Sequence, residues 1–343
     1  NLQISNKEDE MKKTLIASAV AAATLSSTAF AMDPANEMQS MMDAMPTLSG
    51  NIQLAYVNNE MDNGTSKIGS NETYDNGSTI RITHDHEISA GVTGFLKMEY
   101  DVDADDKGNT NAGGNSQFKL DEGYIGVKGD FGSVQLGSDD TVYEWVDVLD
   151  MYEAVGLEGE LAGFDEGDNV QYVSPDMSGL TVGVTAKLDS DTNDSVALAA
   201  KYTMDTLEVV AAYAMGREEG ALDKGDSYGL AVSYGIEDLT LSLAYESKDE
   251  DKVANVDANN EETYIGFLAN YSMGANNFAL GYAMFEVDNA TDDEADGIYA
   301  QALHNVSDNM YVYVEYLAVT DSDNTAAADV DDDSLAIGAT YTF

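Results

Sequence analysis

Cysteine is absent from the chain, so neither a disulfide framework nor thiolate chemistry is available to it. Only three prolines occur among 343 residues, Pro34, Pro46 and Pro175, a scarcity that suits long paired strands in which a missing backbone donor is costly. Positive charge is scarce as well. Against 64 Asp and Glu stand 15 Lys and Arg, a formal charge of −49. Such a chain repels nucleic acid and anionic surfaces, and no nucleic-acid partner is expected. Histidine is limited to His84, His86 and His304, and no G-x-S-x-G occurs, so a hydrolytic nucleophile would lack an evident base. Beyond an early stretch at 15–25, no apolar run approaches the ~20 residues that a membrane helix requires.

What is present is a 43% share of apolar residues, spread in short alternating runs that exclude a disordered acidic tail. Lys12 and Lys13 precede the apolar run at 15–25, and Ala29, Phe30 and Ala31 form an A-x-A cleavage pattern. These features predict a secretory leader over 11–31, with 1–10 an over-long start upstream of Met11. Residues 32–47, carrying Met38, Met41, Met42 and Met45, read as a short lead-in, and 48–343 as one domain.

From Leu48 onward one unit repeats: an alternating strand of roughly nine to eleven residues, then a very short turn or a long polar loop. Strands are predicted at 48–58, 78–86, 92–102, 118–129, 133–138, 169–175, 180–188, 195–204, 206–215 and 227–235. Six more follow at 239–248, 262–272, 277–287, 297–304, 309–319 and 334–343. Long connections at 59–77, 103–117, 139–168, 216–226, 249–261 and 322–333 alternate with short ones. About sixteen antiparallel strands joined this way predict an all-β fold, a closed transmembrane β-barrel with short turns at one end and long external loops at the other. Leu239, Leu241, Leu243 and Tyr245 would face lipid, while Thr240, Ser242, Ala244 and Glu246 would line a wet lumen. Small residues on such rows, Gly183, Ala244, Gly281, Ala336 and Gly338, predict an open lumen. Tyrosine, with 20 copies often near strand ends, suits an interfacial girdle.

Alternation stops between 139 and 168, where the only tryptophan, Trp145, sits among many acids. A structureless stretch of this length inside a compact fold points to function. It is predicted to fold inward as the third external loop, with Asp121, Glu144, Asp147, Asp150, Glu153 and Glu158 as pore-facing acids.

Several stretches carry a resemblance. They are 87–100 (EISAGVTGFLKMEY), 123–132 (GYIGVKGDFG) followed by 133–137 (SVQLG), 168–175 (DNVQYVSP), and the terminal Tyr341-Thr342-Phe343. In that order they resemble the Gram-negative general porins, trimeric sixteen-stranded outer-membrane channels. The resemblance implies a loop that narrows the pore, a homotrimer, outer-membrane lipid and lipopolysaccharide as surroundings, and Tyr341 with Phe343 as the signal read by the insertion machinery. It also implies wall arginines opposite the loop, yet those positions hold Thr79, Asp121 and Gln171 or Val173. Arg81 is expected to substitute in part, with Lys97 and Lys187 as the next lumen cations.

A narrow passage lined by carboxylates concentrates cations and excludes anions. The chain is therefore expected to be a passive, cation-preferring channel for ions and small hydrophilic solutes, with no cofactor, metal or reaction. The alternatives are a structural or adhesin barrel and a barrel hydrolase. The acidic run from Asp101 to Gly108 begins like a calcium loop but places Asp106 where glycine is needed and Ala112 where glutamate is needed.

Overall fold

The computed structural model describes residues 45–105, 118–156, 161, 167–188, 195–215, 218–219, 222–223, 225–253, 256–288, 293–322 and 330–343. The expected leader, most of the lead-in and Glu158 lie outside them.

Period-two alternation becomes strand throughout. The first half of the chain contributes β1 (Thr47–Asp62), β2 (Lys67–Asp75), β3 (Thr79–Ser89), β4 (Val92–Val102), β5 (Phe118–Gly129), β6 (Gly132–Ser138) and β7 (Asn169–Val173). Then come β8 (Leu180–Lys187), β9 (Val196–Met204), β10 (Leu207–Ala214) and a two-strand ribbon of β11 (Glu218–Glu219) and β12 (Leu222–Asp223). The remainder holds β13 (Asp226–Ile236), β14 (Leu239–Val253), β15 (Val256–Met273), β16 (Asn276–Asp288), β17 (Asp293–Ser307), β18 (Met310–Ser322) and β19 (Val330–Thr342).

Apart from the ribbon, every strand joins one antiparallel sheet of 17 segments, and β1 pairs with β19 from Asn51↔Thr342 to Asp62↔Asp331, so the sheet has no free edge. The closed wall pairs strand with strand all the way round, the arrangement that hydrocarbon demands. Segments β2 and β3 both pair with β1, one along its second half and one along its first, so they form a single wall strand and the 17 segments make sixteen positions. The break between them falls at 76–78, where Gly77 takes φ +88° and Ser78 Oγ accepts from Gln53 N at 2.9 Å, repairing the ladder. Segment β2 lies inside the stretch 59–77 read as loop from the sequence. Its residues are mostly polar and exposed on both faces, so no period of two marks it, and its partner β1 alone makes it a strand.

The outward face is apolar around the whole wall: Leu198, Leu230, Leu243, Phe267, Leu280, Ile298 and Ile337 are exposed, while Ala199, Ala231, Ala244, Leu268, Ala279 and Ala336 are buried on the other face. A continuous apolar belt of this extent is incompatible with water and suits lipid. Tyr202, Tyr234, Tyr271 and Tyr341 stand exposed close to short turns or the C-terminus, at the level of an interfacial girdle. Among the described residues no helix is long and apolar enough to cross a membrane, so crossing is left to the strands. The last residue closes the ring: Gly50 N donates to Phe343 O at 3.1 Å and Phe343 N to Gly50 O at 3.0 Å.

Candidate functional site

The segment between β6 and β7 starts with a capped 3-10 turn, Val142–Val146. Thr141 Oγ1 accepts from Tyr143 N at 3.2 Å, and Glu144 Oε1 accepts from Thr141 N at 2.8 Å. This reciprocal box satisfies two otherwise orphaned donors. The turn lays Val142, Tyr143 and Val146 against the inner wall, with Leu149 following, and all four are fully buried. Taking each apolar side chain out of water contributes roughly 1.5–3 kcal/mol.

The wall is shaped to receive them. A Cβ at Gly183 of β8 would fall 2.6 Å from Val142 and 2.8 Å from Trp145, and one at Gly229 of β13 would fall 2.7 Å from Val146. Gly281 and Gly338 lie under the rings of Tyr299 and Tyr313. Of the small residues expected to mark open lumen, Gly183, Gly281 and Gly338 instead mark places where the loop and two tyrosines lie against the wall.

Two buried wall carboxylates fasten the loop. Glu246 accepts from Tyr143 Oη at 2.9 Å and from Leu161 N at 3.2 Å. Glu315 accepts from the backbone N–H groups of Glu153 at 2.7 Å, Ala154 at 2.8 Å and Val155 at 3.2 Å, and from Gln301 Nε2 at 2.8 Å. Val142 N donates to Thr185 Oγ1, Gln301 Nε2 to Met151 O, and Tyr74 Oη to Ala154 O. The segment therefore runs along the inner face from β8 round to β18 and β2.

Across from the loop, β3 carries Arg81, β4 carries Lys97 and β5 carries acids, while Lys187 is buried on β8 and Lys201 of β9 stands 5.2 Å from the Trp145 ring. Arg81 grips Glu99 through Nε at 2.6 Å and Nη2 at 2.7 Å, a two-point pairing that fixes both groups. Lys97 meets Glu99 at 2.9 Å and also contacts Glu122. The register slips between Met98↔Gly123 and Tyr100↔Leu120, so Asp121 and Glu122 together oppose Glu99. That bulge turns both acids to one side, and the carboxylate oxygens of Glu99, Asp121 and Glu122 come within 4.8 Å of one another. Strict alternation had put Asp121 and Glu122 on opposite faces.

Between this cluster and the loop lies a cavity of about 430 Å³ lined by Lys97, Glu122, Asp139, Asp140, Glu144, Asp147 and Asp150, among others. Burial, then the nearby Glu122, pushes Asp139 up to about 7. Burial and Asp150 push Asp147 up to about 6. Asp140 is raised by burial and by Glu122, and Asp150 by burial. Glu153 sits elsewhere: its carboxylate accepts from Tyr311 Oη at 2.9 Å, and burial raises its pKa. It lines a second cavity of about 480 Å³ that shares Asp150 with the first.

Of the residues singled out from sequence, Lys97, Glu144, Asp147 and Asp150 meet in the first cavity, with Arg81 and Asp121 joined to it through Glu99 and Glu122. Glu99, Glu122, Asp139, Asp140, Glu246 and Glu315 were not singled out. A signal existed for Glu246, a carboxylate on a row of otherwise small residues. Tyr341 and Phe343 are exposed on the outer face.

A model of the Gram-negative porin family matches residues 17–325. Two relatives, a "Monosaccharide porin" from a Halomonas species and a "Major outer membrane protein" from Halomonas elongata, are each 31% identical over 384 aligned residues, covering 97% of this chain and 100% of theirs. Among solved structures, an anion-selective porin from Comamonas acidovorans matches with a TM-score of 0.74 at 17% identity, over 87% of this chain and 99% of that one. The trimer form of OmpT from Vibrio cholerae matches with a TM-score of 0.67 at 17% identity, with the same shares covered. The chain therefore belongs to the Gram-negative porin family and forms a channel for small solutes in the outer membrane.

Proposed function

We propose that the channel is passive and prefers cations. The observation that carries this reading is the pairing of two cations beside the first cavity: Arg81 and Lys97 are bound to Glu99 and Glu122, while Asp121, Asp139, Asp140, Asp147 and Asp150 remain in surplus around them. A passage of this kind attracts cations over about one Debye length, roughly 10 Å at 0.1 M salt. The likeness to an anion-selective porin concerns the fold; selectivity depends on the side chains at the narrowest point.

Neutral solutes of monosaccharide size belong to the same reading, supported by the 31%-identical relative bearing that name. The working form is a homotrimer, as in the trimeric neighbour, set among lipid and lipopolysaccharide, with Tyr341 and Phe343 read by the insertion machinery.

The test is the zero-current potential of purified protein in a planar bilayer across a potassium chloride gradient. Cation preference that fades as salt rises is expected. Anion preference would sink the acidic-passage reading, and absence of conductance would sink the channel itself.

A further inference from the structure

We infer that the second cavity is a binding subsite for an uncharged polyol of hexose size, a proposal that rests on the channel reading and gives it a place to act. The cavity of about 480 Å³ lies between the loop and strands β1, β16 and β17, within the roughly 300–1,000 Å³ typical of small-ligand sites. Its chemistry differs from that of its neighbour. The first cavity is lined mainly by charged groups, whereas the second is framed by five carboxamides, Gln53, Asn76, Asn277, Gln301 and Asn305.

A carboxamide offers donors and acceptors without charge, and a sugar hydroxyl is both donor and acceptor, so the two are complementary. Leu303 and Met151 add apolar surface for the C–H face of a ring. Asp150 and Glu153 at the border accept from hydroxyls and repel anions, which excludes sugar acids and phosphates.

Three of the carboxamides are fixed. Gln301 donates to Met151 O and Glu315 at 2.8 Å each, Asn76 Nδ2 contacts Glu153 O, and Gln53 Nε2 donates to Gly77 O at 3.0 Å. Rigid lining of this kind lowers the entropy cost of capturing a solute. By contrast, Asn277 Oδ1 and the Tyr152 hydroxyl have no hydrogen-bond partner among the described residues, although Tyr152 is only 8% exposed. Buried polar atoms without partners are rare, and here two border one cavity. Both atoms are closed to solvent, so a polyol beside the exposed Asn305 gains their bonds only as the side chains of Asn277 and Tyr152 turn toward it. Asp150 lines both cavities, so a solute leaving the acidic cavity meets the carboxamide one next.

The experiment is titration of D-glucose against the potassium current of the full chain in planar bilayers, with D-gluconate as the charged control. In the unaltered protein glucose is expected to reduce the current saturably and add current noise, whereas gluconate is not. Asn277→Leu and Asn305→Ser are each expected to weaken half-saturation roughly two- to tenfold, the worth of one hydrogen bond, and to leave the zero-current potential unchanged. Asp139→Asn should do the reverse. Asn305 is exposed, so its exchange for Ser keeps the test open if Asn277→Leu does not fold.

A linear, unsaturable glucose effect in a conducting channel would overturn the subsite and leave the channel standing. Equal block by gluconate would overturn its neutrality, and unchanged half-saturation in both variants would overturn its location. A protein that does not conduct would instead overturn the channel reading.

Discussion

Asp139 and Asp147 are the residues through which acidity should reach the channel. Burial holds their carboxyls near 7 and 6, so both lose charge as pH falls from 8 to 5, a range in which an ordinary aspartate stays ionised. Cation preference is therefore expected to decline over that range, most steeply near pH 7, and Asp139→Asn should flatten the upper part of the profile. A zero-current potential that stays constant from pH 8 to 5 would refute this. The same shifts act on stability with a definite sign. A folded-state pKa above the unfolded value means that the folded chain keeps a proton the unfolded chain releases, so these two groups make stability fall as pH rises between about 4 and 7. Residue-level detail of this sort was only partly legible in the sequence. The acids of the loop were visible, but the bulge at β4 and β5 was not, because nothing in a run of alternating residues announces a slipped register. Hence Asp121 was singled out and Glu122, the partner of Lys97, was passed over.

The inward segment behaves as an element whose position depends on a few fastenings. Replacing Glu315 with Leu would leave the N–H groups of Glu153, Ala154 and Val155 without their acceptor, at about 1–3 kcal/mol for each group left unsatisfied. The expected outcome is a loosened loop in an intact barrel: larger and noisier single-channel currents, and new protease cleavage between residues 139 and 156. Currents identical to those of the unaltered protein would show that apolar docking alone holds the loop. Gly229→Leu should disturb the same element from the other side, because its side chain would claim the space of Val146, and conductance should again change while the folded barrel persists. The sixteen wall positions were legible because lipid on one face and small residues on the other impose a period of two, and long loops alternate with short turns. β2 was hidden because its residues are mostly polar and exposed, so neither face is selected. The meaning of the glycine and alanine rows was hidden for another reason. A small residue records that something is close, without saying whether water, a ring or a loop fills the space.

At the scale of the whole molecule, most of the chain's formal charge of −49 falls on the sixteen-stranded barrel, and part of it is concentrated where β1 meets β19. There Glu60 stands opposite Asp333 and Asp62 opposite Asp331, with Asp332 between them, and Lys67 lies 2.8 Å from Glu60 and 3.4 Å from Asp62. Like charges directly opposed across a ladder are destabilising, and these exposed groups are open to salt. The seam that closes the barrel is therefore also where self-repulsion is strong. Raising sodium chloride from about 10 mM, where the Debye length is roughly 30 Å, to 1 M, where it is about 3 Å, should raise the temperature at which the detergent-solubilised barrel unfolds. Heat-dependent gel mobility across a salt series reads this directly. Asp331→Asn with Asp333→Asn should raise the unfolding temperature at low salt and reduce its salt dependence, since the paired repulsion would already be gone. An unfolding temperature that stays flat or falls with salt would mean that the seam is held by its hydrogen-bond ladder with charge repulsion a minor term. In that case the acidity would have to be explained by what passes through the channel or settles on its rim, since the cost of closing the wall would not account for it.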